Sequence, residues 1–244
     1  MMKRKALLLG YSGYDEGEEN YLSAVEKDLE AYKEFLTSRK GGLWSNDEII
    51  TLIDEELKSL DTELLLMKNK YDFIYIVYSG HGCYTKCQHL GINQYDYHLT
   101  DTHFEKLAPR QITVIDACAG MLSGNESINE SVEELIEKYT LAPKERIRIR
   151  EKYESQILQC PQQEIKLYSA EPGELSGADS KESYYISELL RVLNYVEEDI
   201  DIITAHEIVK KEVLKRSNNT QHPYYKVNPD DVSQYLPGAI DELF

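Results

Sequence analysis

Two short glycine-flanked segments carry the residues best suited to chemistry. His81 lies in Gly80-His81-Gly82, directly after an apolar run, and Cys118 lies in Asp116-Ala117-Cys118-Ala119-Gly120 at the end of a later one. The thiolate is the reactive form of cysteine, and a nearby imidazole can take the proton of the thiol. The pattern therefore predicts attack on an acyl carbon, with Cys118 as nucleophile and His81 as general base.

The glycines beside these residues would let a substrate main chain come close. The main-chain N–H groups of Gly82 and Cys118 are our candidates for an oxyanion hole. A single cysteine in a strand is more often a small buried apolar residue, and a single histidine near glycine is more often a turn residue. Their occurrence together at consecutive strand ends favours catalysis.

Short apolar runs alternate with amphipathic helical patterns along the chain. Strands are predicted at residues 5–11, 48–53, 72–78, 111–117 and 164–170, with an edge strand at 224–227. Alternation of this kind predicts the α/β class, as a three-layer αβα sandwich with a mostly parallel sheet of about six strands. Ligands of such sheets bind beyond the carboxyl ends of the strands, where both glycine-flanked segments lie.

Charge and composition exclude several classes of function. The chain has 27 Lys and Arg against 44 Asp and Glu, a net charge of −17, which disfavours nucleic acid and anionic membranes as partners and suits cationic substrates. A surplus of acid also commonly serves only to solvate a surface. No glycine-rich phosphate loop or serine nucleophile elbow supports a nucleotide binder or another α/β hydrolase.

The cysteines predict a reducing compartment. Four of them, at 83, 87, 118 and 160, are too few for a disulfide scaffold, and residues 1–10 lack the apolar length of a signal sequence, so we expect a cytoplasmic protein. Cys83, Cys87 and His89 form a short cluster with three zinc-ligand side chains. Structural zinc needs four ligands, and Cys160 is remote in sequence, so no metal is predicted there.

Asp116 is the candidate specificity residue. Residues two apart on a strand share a face, so Asp116 and Cys118 project to the same side, roughly 6–7 Å apart. A carboxylate there suits an Arg or Lys side chain before the cut, and it would repel Asp. The alternative is a structural cap of a neighbouring loop.

Both motifs resemble those of a known peptidase group. Tyr78-Ser79-Gly80-His81-Gly82 and Asp116-Ala117-Cys118-Ala119-Gly120 resemble the histidine and cysteine motifs of the caspase, metacaspase and orthocaspase peptidases, and residues 169–190 and 221–225 are similar to the small-subunit part of that fold. The resemblance implies a bacterial-type thiol endopeptidase that forms a thioester acyl-enzyme. Because metacaspase-like families carry Asp at position 116, it also implies cleavage of proteins after basic residues.

By the same resemblance, Ser176 contacts the substrate main chain and Asp28 is a second acidic residue of the pocket. The chain departs from metacaspases at Ala119, and it does not clearly reproduce their acidic calcium-binding positions. No cofactor is therefore expected, and a calcium requirement has no clear motif behind it. Bacterial relatives imply a role in defence or cell death, with a pore-forming or toxin-like effector as one class of substrate.

The chain is expected to form one peptidase domain over residues 1–244. Residues 1–120 are large-subunit-like, 121–163 look like a charged insertion, and 164–244 are small-subunit-like. Arg146, Arg148, Arg150 and Lys152 in the insertion are candidate self-cleavage sites of a zymogen. The alternative function is a catalytically silent scaffold that keeps the fold for protein binding, and the oligomeric state stays open.

Overall fold

The computed structural model describes residues 2–13, 21–54, 59–91, 99–118, 142–178 and 182–241. In chain order its helices and strands are β1 Arg4–Tyr11, α1 Ala24–Thr37, β2 Ile49–Ile53, α2 Leu60–Met67, β3 Phe73–Gly80, β4 Gly82–Tyr84, β5 Gln88–Leu90, β6 Leu99–Thr100, β7 Arg110–Ala117, α3 Pro143–Gln159, β8 Gln163–Tyr168, α4 Tyr184–Tyr195, β9 Ile200–Asp201, α5 Ile202–Arg216, β10 Tyr224–Asn228 and β11 Pro237–Ala239.

The central sheet has six strands in the order β10-β8-β7-β3-β1-β2. All of them are parallel except β10, which pairs antiparallel with β8 at the edge. Strands β1, β3 and β7 are apolar and buried on both faces, as expected where helices cover a parallel sheet. The predicted fold class is confirmed, and so is the edge strand.

Two hydrophobic cores lie on opposite faces of this sheet. Helices α1, α3, α4 and α5 pack on one face. Helix α2 and a small antiparallel sheet of order β4-β5-β6 pack on the other. The small sheet follows His81 directly, in a stretch where the sequence predicted no regular structure. No helix among the residues placed by the structure is long and apolar enough to cross a membrane.

Helix α3 corrects the prediction of a charged insertion over 121–163. Ile149, Tyr153 and Ile157 repeat every four residues on this helix and are fully buried in the α-helical core. Residues 143–159 are therefore part of the packed domain, and Gln163 already begins β8. Residues 119–141 lie outside the described residues.

The four candidate self-cleavage residues all lie on this helix. Arg146 and Arg148 are exposed, whereas Arg150 pairs with Glu48 and Glu154, and the Lys152 ammonium donates to the Asp241 carbonyl at 3.1 Å. Proteolytic cuts concentrate in exposed loops, because a peptide bond inside a packed helix must first be unfolded. Cleavage at these four residues would therefore require α3 to unfold, and self-cleavage there stays a prediction.

Candidate active site

His81 and Cys118 follow neighbouring strands that end in register. Strands β3 and β7 pair in parallel, with Ser79 opposite Asp116 and Gly80 opposite Ala117. The next residue on each strand is His81 and Cys118, respectively. Because the two strands run parallel and end in register, both residues leave the sheet at the carboxyl ends of the strands. Neighbouring strands lie about 4.8 Å apart.

The main chain around His81 is held from three sides. Its N–H donates to the Tyr11 carbonyl at 3.2 Å, and its own carbonyl accepts from the Gly91 N–H at 2.8 Å and from the Tyr78 hydroxyl at 2.6 Å. The Tyr11 ring meets the imidazole edge-on, with centroids 5.9 Å apart. Gly80 makes the turn with φ of +147°, where a side chain would collide with Tyr11. His81 is thereby fixed to the ends of β1 and β5.

The Cys118 thiol rests against the loop that follows β8. Its Sγ–H donates to the Ser176 carbonyl at 3.7 Å. Burial raises the pKa of the Cys118 thiol, and the negative charge of Asp116 raises it further. The resting nucleophile is therefore a neutral thiol, and its attack requires a base that removes the proton.

Asp116 and Asp28 form a buried acidic pair on one side of Cys118. Asp116 is 3% exposed and accepts from the Ser176 hydroxyl at 2.5 Å and from the Ile186 N–H at 3.3 Å. Asp28 is 2% exposed and accepts from the Ser79 hydroxyl at 2.9 Å and the Ser183 N–H at 3.2 Å. Side-chain hydrogen bonds from Ser169 and Ser183 to Asp116, and from Ser183 to Asp28, also lower the pKa values of these carboxyls.

This pair has no cation to balance it within the part of the chain that the structure describes, since none of the ion pairs there reaches Asp28 or Asp116. Burial raises the pKa of Asp28 to about 7, with the charge of Asp116 adding to the effect. Burial likewise raises the pKa of Asp116, although its hydrogen bonds oppose the shift. A surface cleft reaches Asp28, and its other lining residues include Lys27, Glu182, Ile186 and Leu190.

Ser176 lies in the loop after β8, beside Cys118, and a buried glutamine holds this loop. The Gln221 side chain accepts from the Gly177 N–H at 2.9 Å and donates to the Ser169 carbonyl at 2.9 Å and the Ser176 hydroxyl at 3.2 Å. Because Gln221 donates to that hydroxyl, the Ser176 proton goes to Asp116.

Sequence reasoning missed three residues of this site. Ser79 had a readable signal, since it precedes His81 by two residues as Asp116 precedes Cys118. Ser183 caps α4 and reaches Asp28 from 155 residues away, and Gln88 donates to the Cys118 carbonyl at 3.0 Å. Neither of these two long-range contacts has a local sequence signal.

The cluster of Cys83, Cys87 and His89 lies on the β4–β5 hairpin. The Cys87 sulfur is 3.8 Å from Nε2 of His89, and the Thr85 hydroxyl meets the same nitrogen at 2.8 Å. Within the described ranges, no three His, Cys, Asp or Glu side chains are arranged to hold a metal ion.

Comparisons with known proteins give one family model and include two similar solved structures. A family model described as the caspase domain matches residues 3–232. Among solved structures, caspase-1 from Spodoptera frugiperda is similar at 13% identity and a TM-score of 0.58, over 92% of this chain and 88% of that one. A protein from Geobacter sulfurreducens is similar at 17% identity and a TM-score of 0.55, over 92% and 93% of the two chains. No curated protein matches the sequence. The two structures support the fold, and the family model covers nearly the whole chain.

Proposed function

The chain belongs to the caspase domain family, and from that premise we propose that it is a cysteine endopeptidase cutting protein substrates after Arg or Lys. Cys118 is the nucleophile, His81 the general base, and Asp28 and Asp116 receive the basic side chain of the substrate. Caspase-domain proteins are cysteine peptidases, so the family supports the reaction class. The basic preference is inferred from the residues of this chain.

The observation that carries the specificity is the buried acidic pair without a cation. Burying two carboxylates without a counterion is costly, and the raised pKa of Asp28 reports that cost. A substrate guanidinium or ammonium would supply the missing charge, with arginine favoured by its planar fork of donors. A substrate Asp would add a third buried carboxylate and is therefore excluded.

The reaction follows from the two residues at the strand ends. His81 takes the thiol proton as Sγ of Cys118 bonds to the scissile carbonyl carbon, giving a tetrahedral oxyanion. Collapse of that intermediate breaks the C–N bond, and the imidazolium gives its proton to the leaving amine, which leaves a thioester on Cys118. Water, deprotonated by His81, then hydrolyses the thioester and restores the thiol. No metal or organic cofactor is needed for these steps.

The hairpin after His81 supports Gly82 as an oxyanion donor. The Gly91 N–H donates to the His81 carbonyl, and Gly82 pairs with Leu90 one step further along the hairpin. Bonded and non-bonded pairs alternate in an antiparallel ladder, so the Gly82 N–H is directed away from Leu90. That leaves it available, together with the Cys118 N–H, to stabilise the oxyanion.

A panel of fluorogenic peptides tests the proposal. Four peptides that differ only in the residue before the leaving group, with Arg, Lys, citrulline or Asp, are compared on wild type, Cys118→Ala, His81→Ala and Asp116→Asn. We expect wild type to cleave only the Arg and Lys peptides. The kcat/KM should fall at least 10³-fold in Cys118→Ala and in His81→Ala. Asp116→Asn should lose kcat/KM selectively for the basic peptides.

Each other outcome has a definite meaning. Cleavage of the Asp peptide alone would refute the pocket while sparing the nucleophile. Absence of all cleavage would favour the silent scaffold. A role in bacterial defence and a toxin-like substrate stay predictions from the family resemblance, and the genes next to this one would test them.

A further inference from the structure

The side chain of Gln88 connects the hairpin after His81 to the nucleophile. It is 2% exposed, and its amide nitrogen lies near three main-chain carbonyl oxygens, those of Cys118 at 3.0 Å, His89 at 3.2 Å and Cys83 at 3.4 Å. These acceptors fix which way round the amide lies, because in the flipped orientation the amide oxygen would face the three carbonyl oxygens. The shortest of these hydrogen bonds holds the carbonyl of Cys118 itself.

The same amide packs against Gly82. A methyl group built on Gly82 would lie 2.9 Å from the Gln88 amide nitrogen and 2.8 Å from Cβ of Ala117. Gly82 is thus packed between the end of β7 and the Gln88 side chain. The two segments with the proposed oxyanion donors, Gly82 and Cys118, are both in contact with Gln88.

We propose that Gln88 is a positioning residue whose buried amide sets the spacing of the Gly82 and Cys118 main-chain N–H groups and thereby shapes the oxyanion hole. This inference rests on the peptidase function proposed above. Gln88 acts only through the main chain of these two residues and does not touch the substrate.

The position of Gln88 determines which kinetic constant it affects. The acidic pair is held by Ser79, Ser176, Ser183 and Ile186, and Gln88 contributes to none of those hydrogen bonds. Substrate binding in the ground state should therefore survive loss of the amide. The oxyanion exists only in the transition state and the tetrahedral intermediate, so a misplaced donor lowers kcat rather than raising KM.

Two methionine substitutions form a matched test, because methionine keeps the shape of glutamine without its donors. Gln163 is also buried, at 3% exposure, and its amide donates to the Gln234 carbonyl at 2.8 Å. It is the first residue of β8, so it lies at the end of the sheet opposite to Cys118. For the Arg peptide we expect Gln88→Met to lower kcat about 30- to 100-fold with KM within twofold. Gln163→Met should leave both constants near wild type.

A glutamate at the same position adds a pH readout that a merely structural role would not give. In Gln88→Glu, the protonated carboxyl can donate to the Cys118 carbonyl, whereas the ionised form faces three carbonyl oxygens. The kcat of this variant relative to wild type should therefore fall as pH rises from 5 to 8. A peptidyl aldehyde with Arg should lose affinity for Gln88→Met in parallel with kcat, because it forms a tetrahedral adduct in the same oxyanion hole.

The possible results separate this inference from the function on which it rests. An active wild type with Gln88→Met equal to Gln163→Met would overturn the role of Gln88 and leave the peptidase standing. If the kcat of Gln88→Glu relative to wild type does not change with pH, the role of Gln88 is also overturned, even if Gln88→Met fails to fold. A wild type that cleaves no peptide would remove the proposed function and this inference together.

Discussion

At the scale of single residues, the protonation of buried groups decides what this site can bind. The Cys118 thiol and the carboxyls of Asp28 and Asp116 all have raised pKa values, mainly through burial. Each group is therefore shifted towards its neutral form until the reaction or a ligand changes its surroundings. In the proposed function, that change is proton transfer to His81 for the thiol and the arrival of a substrate cation for the acidic pair.

The raised pKa of Asp28 predicts how binding depends on pH. Below pH 7 this carboxyl is mostly protonated, and as pH rises through about 7 it ionises and attracts a guanidinium. In Cys118→Ala, which binds without cutting, an Arg peptide should bind about tenfold more tightly at pH 8 than at pH 6. Isothermal titration calorimetry measures this directly.

A neutral ligand provides the control. Citrulline has the shape of arginine without its charge, so a citrulline peptide should bind weakly at both pH values. Asp28→Asn in the Cys118→Ala background should remove most of the pH dependence for the Arg peptide. Equal pH profiles for the Arg and citrulline peptides would contradict the role of the acidic pair.

At the scale of helices and strands, a buried ion network joins α3 to the sheet. The Arg4 side chain on β1 is fully buried and meets Glu48 at 3.3 Å, while Arg150 on α3 pairs with both Glu48 and Glu154. Burial would raise the pKa of Glu48, but hydrogen bonds from Arg150, Ser45 and Arg4 outweigh it and lower the pKa to about 2. Glu48 thus connects β1 to α3.

This network predicts a stability effect with a definite sign. Because the pKa of Glu48 is lowered on folding, its contribution is present above pH 4.5 and is lost as pH falls towards 2. Glu48→Gln leaves the buried Arg4 without its partner and should lower the free energy of unfolding at pH 7 by roughly 3 kcal/mol. In urea unfolding measured between pH 7 and 3, the free energy of unfolding should fall less for the variant than for wild type.

An exposed ion pair serves as the comparison. Glu212 pairs with Lys215 on α5, where the lysine side chain is 71% exposed, so Glu212→Gln should change stability little. A stability loss in Glu48→Gln no larger than in Glu212→Gln would show that the network contributes nothing.

Helix α3 also predicts where the chain is not cut. Arg146, Arg148, Arg150 and Lys152 satisfy the proposed specificity, but they lie in a packed helix. Intact-mass spectrometry of wild type after long incubation, compared with Cys118→Ala, should show no fragment that ends at these residues. A fragment ending at Arg148 in wild type alone would mean that α3 unfolds readily, against the packing of Ile149 and Tyr153.

The sequence already contained the signal for α3. Ile149, Tyr153 and Ile157 recur every four residues, which is the spacing of one helical face. The density of charges between them hid this pattern. The reason for those charges became visible only with the fold, because Arg150 pairs with Glu48, which is 102 residues away.

At the scale of the whole molecule, sequence periodicity was enough to predict the layered fold. Apolar runs such as residues 72–78 and 111–117 are short and rich in β-branched and aromatic residues, so the central strands were recognisable one by one. The β4–β6 sheet was not recognisable, because its strands have only two or three residues. Contacts such as Gln88 with Cys118 depend on that sheet, so sequence reasoning could not reach them.

The fold brings the candidate catalytic residues to one end of the sheet, because its parallel strands run in the same direction. In-register pairing of β3 with β7 puts His81 and Cys118 side by side, while α1 and the start of α4 bring Asp28 and Ser183 to the same end. The proposed function requires that Cys118 be a nucleophile that His81 activates and that the acidic pair directs to basic residues.

Covalent trapping tests this claim most directly. Wild type, Cys118→Ala and His81→Ala are treated with a peptidyl acyloxymethyl ketone that carries Arg, or with its Asp counterpart, and the modified residue is identified by tandem mass spectrometry. We predict one Arg inhibitor per chain, on Cys118 alone, with labelling abolished in Cys118→Ala and strongly slowed in His81→Ala, and no labelling by the Asp inhibitor. Equal labelling of Cys83 or Cys87, or a rate on Cys118 unchanged by His81→Ala, would contradict the account.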